Sequence, residues 1–259
     1  MENKQPKYSM DDLLQIMRRL RKECPWDAKQ THESLRQFLL EETYEVLETI
    51  DQQQWSKLAE ELGDLLLQIV FHSEIAAEKR RFDFNDVVDH ISKKLITRHP
   101  HVFGNKALNN ALQVQENWEH TKVKNEGRDS LLSGVPKAAP ALLQAQRLQE
   151  KAATVGFDWP EVEPVLDKVI EELNELREEI KNRHLQKIED ELGDVLFALV
   201  NLGRFLNITA EDALRKTNQK FVRRFQHIEQ QYNGDLRAMK KATLKELDRY
   251  WEQAKENEK

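Results

Sequence analysis

Glu172, Glu175, Glu191 and Asp194 are the residues of this 259-residue chain whose types and spacing could do chemistry. They lie in "EELNE" (171–175) and "ELGD" (191–194). On a helix, residues three apart share a face, so each pair projects together. The fifteen residues between Glu175 and Glu191 suffice to end one helix, turn and start an antiparallel partner. Four carboxylates then converge between two helices. Like charges at close range repel, burial raises the cost, and a divalent cation resolves both. An all-oxygen set without Cys or His favours Mg²⁺ or Mn²⁺ over zinc or copper. The di-iron bundles use Glu-x-x-His, and none of the eight His follows a Glu by three residues. Mg²⁺ commonly binds through carboxylates plus substrate phosphates, so a phosphorylated substrate is expected.

The pattern occurs twice. Subtracting 130 from Glu171, Glu172, Glu175, Glu178, Glu191, Leu192, Gly193 and Asp194 gives Glu41, Glu42, Glu45, Glu48, Glu61, Leu62, Gly63 and Asp64, all identical. With an offset of 126, Asp212, Lys220 and Arg224 meet Asp86, Lys94 and Arg98. A lone E-E-x-x-E on a helix is usually a solvated face. Solvated charges, however, have no reason to keep their spacing within one chain while the residues around them drift. The metal set is therefore read as Glu172, Glu175, Glu191 and Asp194 in the second copy, and Glu42, Glu45, Glu61 and Asp64 in the first. Gly63 and Gly193 sit mid-helix, where Gly costs about 1 kcal/mol relative to Ala, and a close helix approach is expected there.

The elements that must position these acids are helical. Apolar residues recur at three or four positions nearly everywhere, and no strand pattern of useful length occurs. Helices are expected over 11–23, 33–53, 55–79, 85–98, about 110–122, 139–153, 161–182, 185–206, 210–231 and 240–257, with "CPWDAKQTHES" as a loop. Leu13, Ile16, Met17 and Leu20 share one face of the first. Leu58, Leu62, Leu65, Leu66, Ile69 and Val70 form a broad face expected to lie in a bundle interior. The fold class is all-α, a tandem repeat of two helical-bundle domains at 1–122 and 138–259, joined by a polar linker at 123–137. A net charge of −6 argues against nucleic acid or an anionic membrane as the main partner. No apolar run approaches the ~18–20 residues of a membrane span. "MENKQPKYSM" has no signal core, and the lone Cys24 fits a reducing cytoplasm, so a cytoplasmic location is expected.

Lys216, Asn218, Lys220, Arg223 and Arg224 lie on one expected helix. The i,i+4 stripe Lys216–Lys220–Arg224 could hold a polyphosphate opposite the metal. A base needs an aromatic or apolar slot, for which Phe157, Trp159 and Trp251 are candidates, though both tryptophans could equally be packing residues. Asp158 and Lys168 complete the candidate substrate-binding set.

The duplicated acids, together with "CPWD", "EETYEV", "ELGDLLLQIVF", "RHPHVFG", "VGFDW" and "KTNQKFVRRF", resemble the MazG family of two-domain bacterial nucleoside triphosphate pyrophosphohydrolases. The resemblance runs over almost the whole chain. It implies the all-α pyrophosphohydrolase fold shared with dimeric dUTPases, and a homodimer. It further implies Mg²⁺-dependent cleavage between the α- and β-phosphates of ATP and other ribo- and deoxynucleoside triphosphates, with broad specificity and a house-cleaning or stress role. The second copy keeps the full "KTNQK" helix and is expected to be the principal centre. The readings left open are a narrow pyrimidine dNTP pyrophosphatase, a ppGpp hydrolase, and a non-enzymatic helical protein whose acids regulate a partner.

Overall fold

A computed structural model describes residues 7–104 and 130–258. The chain divides into two compact units, Met1–Asn110 and Ala111–Lys259. Among the described residues every regular element is a helix. The short helix expected near 110–122 lies outside the described residues, as does most of the expected linker; its described end, 130–137, is a run of turns and bends.

In the first unit α1 (Met10–Glu23) opens with a capping box, Ser9 and Asp12 satisfying each other's backbone N–H. The segment expected to be a loop instead forms α2 (Pro25–Lys29), because Pro25 stands at the first helical position, where its missing N–H costs nothing. The next helix starts later than expected, as α3 (Arg36–Asp51), since Thr31–Leu35 are held in a hydrogen-bonded turn by Ser34 and Thr31. After α4 (Trp55–Glu78) come α5 (Phe84–Arg98), capped by Asp83 and Asp86, and α6 (Pro100–Phe103). Leu14, Met17, Leu35, Val70, Phe71 and Ile75 make the core.

The second unit holds α7 (Ala141–Ala153), α8 (Val162–Asn182), α9 (Leu185–Phe205) and α10 (Ala210–Gln231). The last expected helix is two, α11 (Leu236–Lys241) and α12 (Leu244–Asn257). Thr243 and Glu246 form a capping box that starts the second afresh.

The repeat reaches the backbone and the core. The α3–α4 turn carries Gln53 at φ 54° and the α8–α9 turn carries Arg183 at φ 58°, the same place at an offset of 130. Neither is glycine, so both turns accept a left-handed residue against its preference. The most buried positions correspond as well: Leu35 and Val70 in one unit, Val165 and Val200 in the other.

Two expectations are corrected. A Cβ on Gly63 or Gly193 would meet nothing within 4 Å, so neither glycine serves a close helix approach within its unit. Nor are the apolar stripes wholly interior. Met17 is buried, but Ile16, Leu20, Leu62 and Ile69 remain exposed, as do Tyr44 and Ile50 of α3. A two-helix hairpin has two apolar faces, and its own unit covers one of them.

Candidate active site

Each acidic hairpin does what its spacing requires. In α3 and α4, Glu42, Glu45 and Glu61 bring carboxylate oxygens within 4.8 Å of one another; in α8 and α9, Glu172, Glu175 and Glu191 do the same. Asp64 and Asp194 stand close enough to act electrostatically on these groups. Burial, then the charges of Asp64, Glu45 and Glu61, holds the Glu42 carboxyl above its ordinary value. Glu61 is raised by burial and then by Glu45, Glu60 and Asp64. Glu191 is raised by burial and then by Glu175, Asp194 and Glu172. An oxygen-only cluster that holds on to protons fits a hard divalent cation by its donor chemistry.

The units differ in what surrounds the acids. Lys168 Nζ donates to Glu171 Oε1 at 2.8 Å and lies 2.8 Å from Glu172 Oε1. Those two carboxylates raise the Lys168 pKa, and Glu172 is only 7% exposed. At the same place in the first unit stands Phe38, packed edge-on against Trp26 with ring centroids 5.9 Å apart.

Beside the second cluster opens a cavity of about 390 Å³. Leu148, Val165, Phe157, Trp159 and Phe197 give it apolar walls; Lys168, Glu172 and Asp194 stand at its acidic side; Gln149, Asn201, Arg204 and Asp158 also line it. Arg204 ties the wall together. Its Nη1 and Nη2 donate to Asp158 Oδ2 and Oδ1 at 2.9 and 2.5 Å, and its Nε donates to Asn201 Oδ1 at 3.0 Å. The ion pair fastens the short segment bearing Phe157 and Trp159 to α9. In the first unit Phe71 occupies the position of Asn201 and is buried in the core.

The remaining candidates gather elsewhere. Phe157, Asp158, Trp159 and Lys168 reach the cavity; Lys216, Asn218, Lys220, Arg223, Arg224 and Trp251 are not among its lining residues. Arg224 donates to Glu258 Oε2 at 2.6 Å and lies 5.5 Å over the Trp251 ring, which also meets Phe221 at 5.3 Å. Arg223 Nε lies 3.8 Å from Glu258 Oε1. Trp251 of α12 packs against Phe221 and Arg224 of α10, while Lys216 and Asn218 are exposed on α10. The sequence reading missed Gln149, Asn201 and Arg204. A usable signal existed for two of the cavity's polar groups: Asn201 and Lys168 are aromatic in the other copy.

Comparison with known proteins decides the family. The model of the MazG nucleotide pyrophosphohydrolase domain matches residues 30–103 and again residues 161–229. The chain belongs to the MazG family. Over 249 residues it is 45% identical to a Thermotoga maritima protein named nucleoside triphosphate pyrophosphohydrolase/pyrophosphatase MazG, covering 95% of each chain. It is 43% identical over 257 residues to the Escherichia coli K12 nucleoside triphosphate pyrophosphohydrolase, covering 96% of this chain and 98% of the relative. Both MazG matches take in the paired helices that carry the acids. Among the described residues no single helix is long and apolar enough to cross a membrane.

Proposed function

We propose that this MazG-family chain is a nucleoside triphosphate pyrophosphohydrolase, converting NTP or dNTP and water to the monophosphate and pyrophosphate, with its principal centre in the second unit. The observation that carries the assignment to that unit is the cavity beside Glu172 and Asp194, of a size suited to a nucleoside, where the first unit has Phe71 and Phe38. The names of the Thermotoga and E. coli relatives support the reaction.

Glu172, Glu175, Glu191 and Asp194 would hold Mg²⁺, with Mn²⁺ as a substitute. When bound, the ion neutralises phosphate oxygens and stabilises the charge that develops as pyrophosphate leaves. The chain's own residues supply the rest. Lys168 offers an ammonium at the mouth of the cavity, within reach of a phosphate once it is drawn from Glu171. The acids accept hydrogen bonds from the attacking water and orient it toward phosphorus, and the apolar walls exclude other water from the nucleoside. The exposed Lys216 and Arg223 and the half-buried Lys220 are suited to an emerging polyphosphate.

Broad base specificity, a role in nucleotide-pool control, a cytoplasmic location and a homodimer complete the proposal. Leu173, Ile170, Leu192 and Leu196 leave a large apolar surface on α8 and α9, which a second copy would cover. Sedimentation at micromolar concentration should give a dimer, which Leu173→Glu weakens.

The test of function is pyrophosphate release from a panel of NTPs and dNTPs with Mg²⁺. Glu175→Gln should remove turnover by about a hundredfold or more, and Glu45→Gln should leave most of it. Loss in the Glu45 variant alone would move the centre to the first unit. Wild-type protein that hydrolyses no member of the panel would end the enzymatic reading.

A further inference from the structure

Two buried carboxamides in the second unit have an orientation that a base could read. Gln149 is 8% exposed and lines the cavity. Its Nε2 donates to the Phe197 carbonyl at 2.8 Å, which fixes the amide and makes Oε1 the remaining end. That oxygen is buried and has no hydrogen-bond partner. Asn201, 4% exposed, also lines the cavity, and its Oδ1 is taken by Arg204 Nε, leaving Nδ2 as a donor. Buried polar atoms are nearly always paired, and an acceptor left unmade costs free energy unless a ligand completes it.

We propose that Gln149 and Asn201 read the hydrogen-bonding edge of the nucleobase, Gln149 Oε1 accepting from a ring or exocyclic N–H and Asn201 Nδ2 donating to the neighbouring ring nitrogen or carbonyl. The inference rests on the reading of this cavity as a nucleotide site. Leu148, Val165, Phe157, Trp159 and Phe197 offer a planar ring apolar surface that binds its faces without selection. Its edge meets two groups whose roles cannot be exchanged, because Phe197 and Arg204 hold the opposite ends of the two amides. A ligand with an adjacent donor and acceptor fits, as adenine and uracil do; one with either group removed leaves a buried partner unmade. The first unit cannot do the same with Phe71 in the place of Asn201.

The experiment is calorimetric binding of nucleoside monophosphates to the full chain in EDTA, which requires neither metal nor turnover. Wild type should bind AMP about three- to tenfold more tightly than purine riboside 5′-monophosphate, which lacks the exocyclic amine, and UMP more tightly than 3-methyl-UMP by a similar factor. In Gln149→Met each pair should bind alike. AMP should likewise exceed 1-deaza-AMP in wild type but not in Asn201→Leu. Reading these ratios within each variant cancels any general weakening of the fold. Pairs that bind alike in wild type, differences that survive in the variants, or ribose 5-phosphate binding as well as AMP and UMP would each overturn the proposal. Failure of the enzymatic reading looks different: no triphosphate is hydrolysed, yet the monophosphate ratios still respond to Gln149→Met.

Discussion

Asp158→Asn is the substitution whose effect can be worked furthest from the structure. Asp158 and Arg204 meet through two nearly parallel hydrogen bonds, with side-chain exposures of 25% and 17%. A fully exposed pair would contribute at most about 1 kcal/mol, but bidentate geometry and partial burial raise this to about 1–2 kcal/mol. At 1.4 kcal/mol per tenfold, releasing the pair shifts the docking of the segment that bears Phe157 and Trp159 by roughly five- to thirtyfold. None of the clustered glutamates is touched, so the loss belongs to substrate binding. KM for a nucleoside triphosphate should rise about five- to tenfold with kcat nearly unchanged. Arg204→Gln should do at least as much, since it also releases the Asn201 amide, and the double variant should be little worse than Arg204→Gln alone, because Asp158 acts through Arg204. Steady-state kinetics on the three variants reads this directly. A fall in kcat with KM unchanged, or strictly additive losses, would refute the positioning role.

Three further outcomes follow from the structure. Gly63→Ala and Gly193→Ala should each stabilise the chain by about 0.5–1 kcal/mol in denaturant unfolding, since a helix-interior glycine is costly and the added Cβ meets nothing within its unit. Phe71→Ala should cost about 3–5 kcal/mol, because that ring is buried in the first unit's core. The third concerns pH. Glu191 has a folded pKa above its unfolded one, through burial and then like charge, so its protonated form favours the fold. In EDTA its stabilising contribution is fully present at low pH and is lost as pH rises from the ordinary carboxylate value to the raised one. Glu191→Gln should therefore gain stability relative to wild type across that interval, read as a difference in Tm, and under the proposed function it should also weaken the binding of Mg²⁺.

Much of this was legible in the sequence because helices report their faces through spacing. The acidic hairpins required only the i,i+3 rule and a fifteen-residue gap, and the repeat exposed which charges were held in place. The glycines misled for a physical reason. A small residue in a helix marks space that something could use, and the pattern cannot say whether a neighbouring helix uses it. Trp251 offers an aromatic slot for a base and Arg224 ends an i,i+4 basic stripe, and spacing alone cannot show that the two are neighbours. In the structure they satisfy each other and Glu258. Gln149 was invisible because its partner is the carbonyl of Phe197, a backbone group 48 residues away. Asn201 could have been found by asking which interior positions change from aromatic to polar between the two copies, a comparison of differences where the repeat invites a comparison of likenesses.

Lys168 has a consequence for how the two acidic hairpins balance their charge. Its ammonium is a counter-ion attached to the chain, always at hand and never diluted. Under the proposed function, a divalent cation entering the second cluster would have to take Glu172 from that ammonium, exchanging a tethered monovalent charge for a free divalent one. The ammonium so displaced would then be free to meet a phosphate of the proposed substrate. The first hairpin has Phe38 in that place, and there Glu42 and Glu61 hold their protons above the ordinary carboxylate value, as Glu191 does in the second. Both clusters can thus trade charge with solvent protons, but only the second also carries, at the Lys168 position, a counter-ion of its own where the first has an aromatic ring.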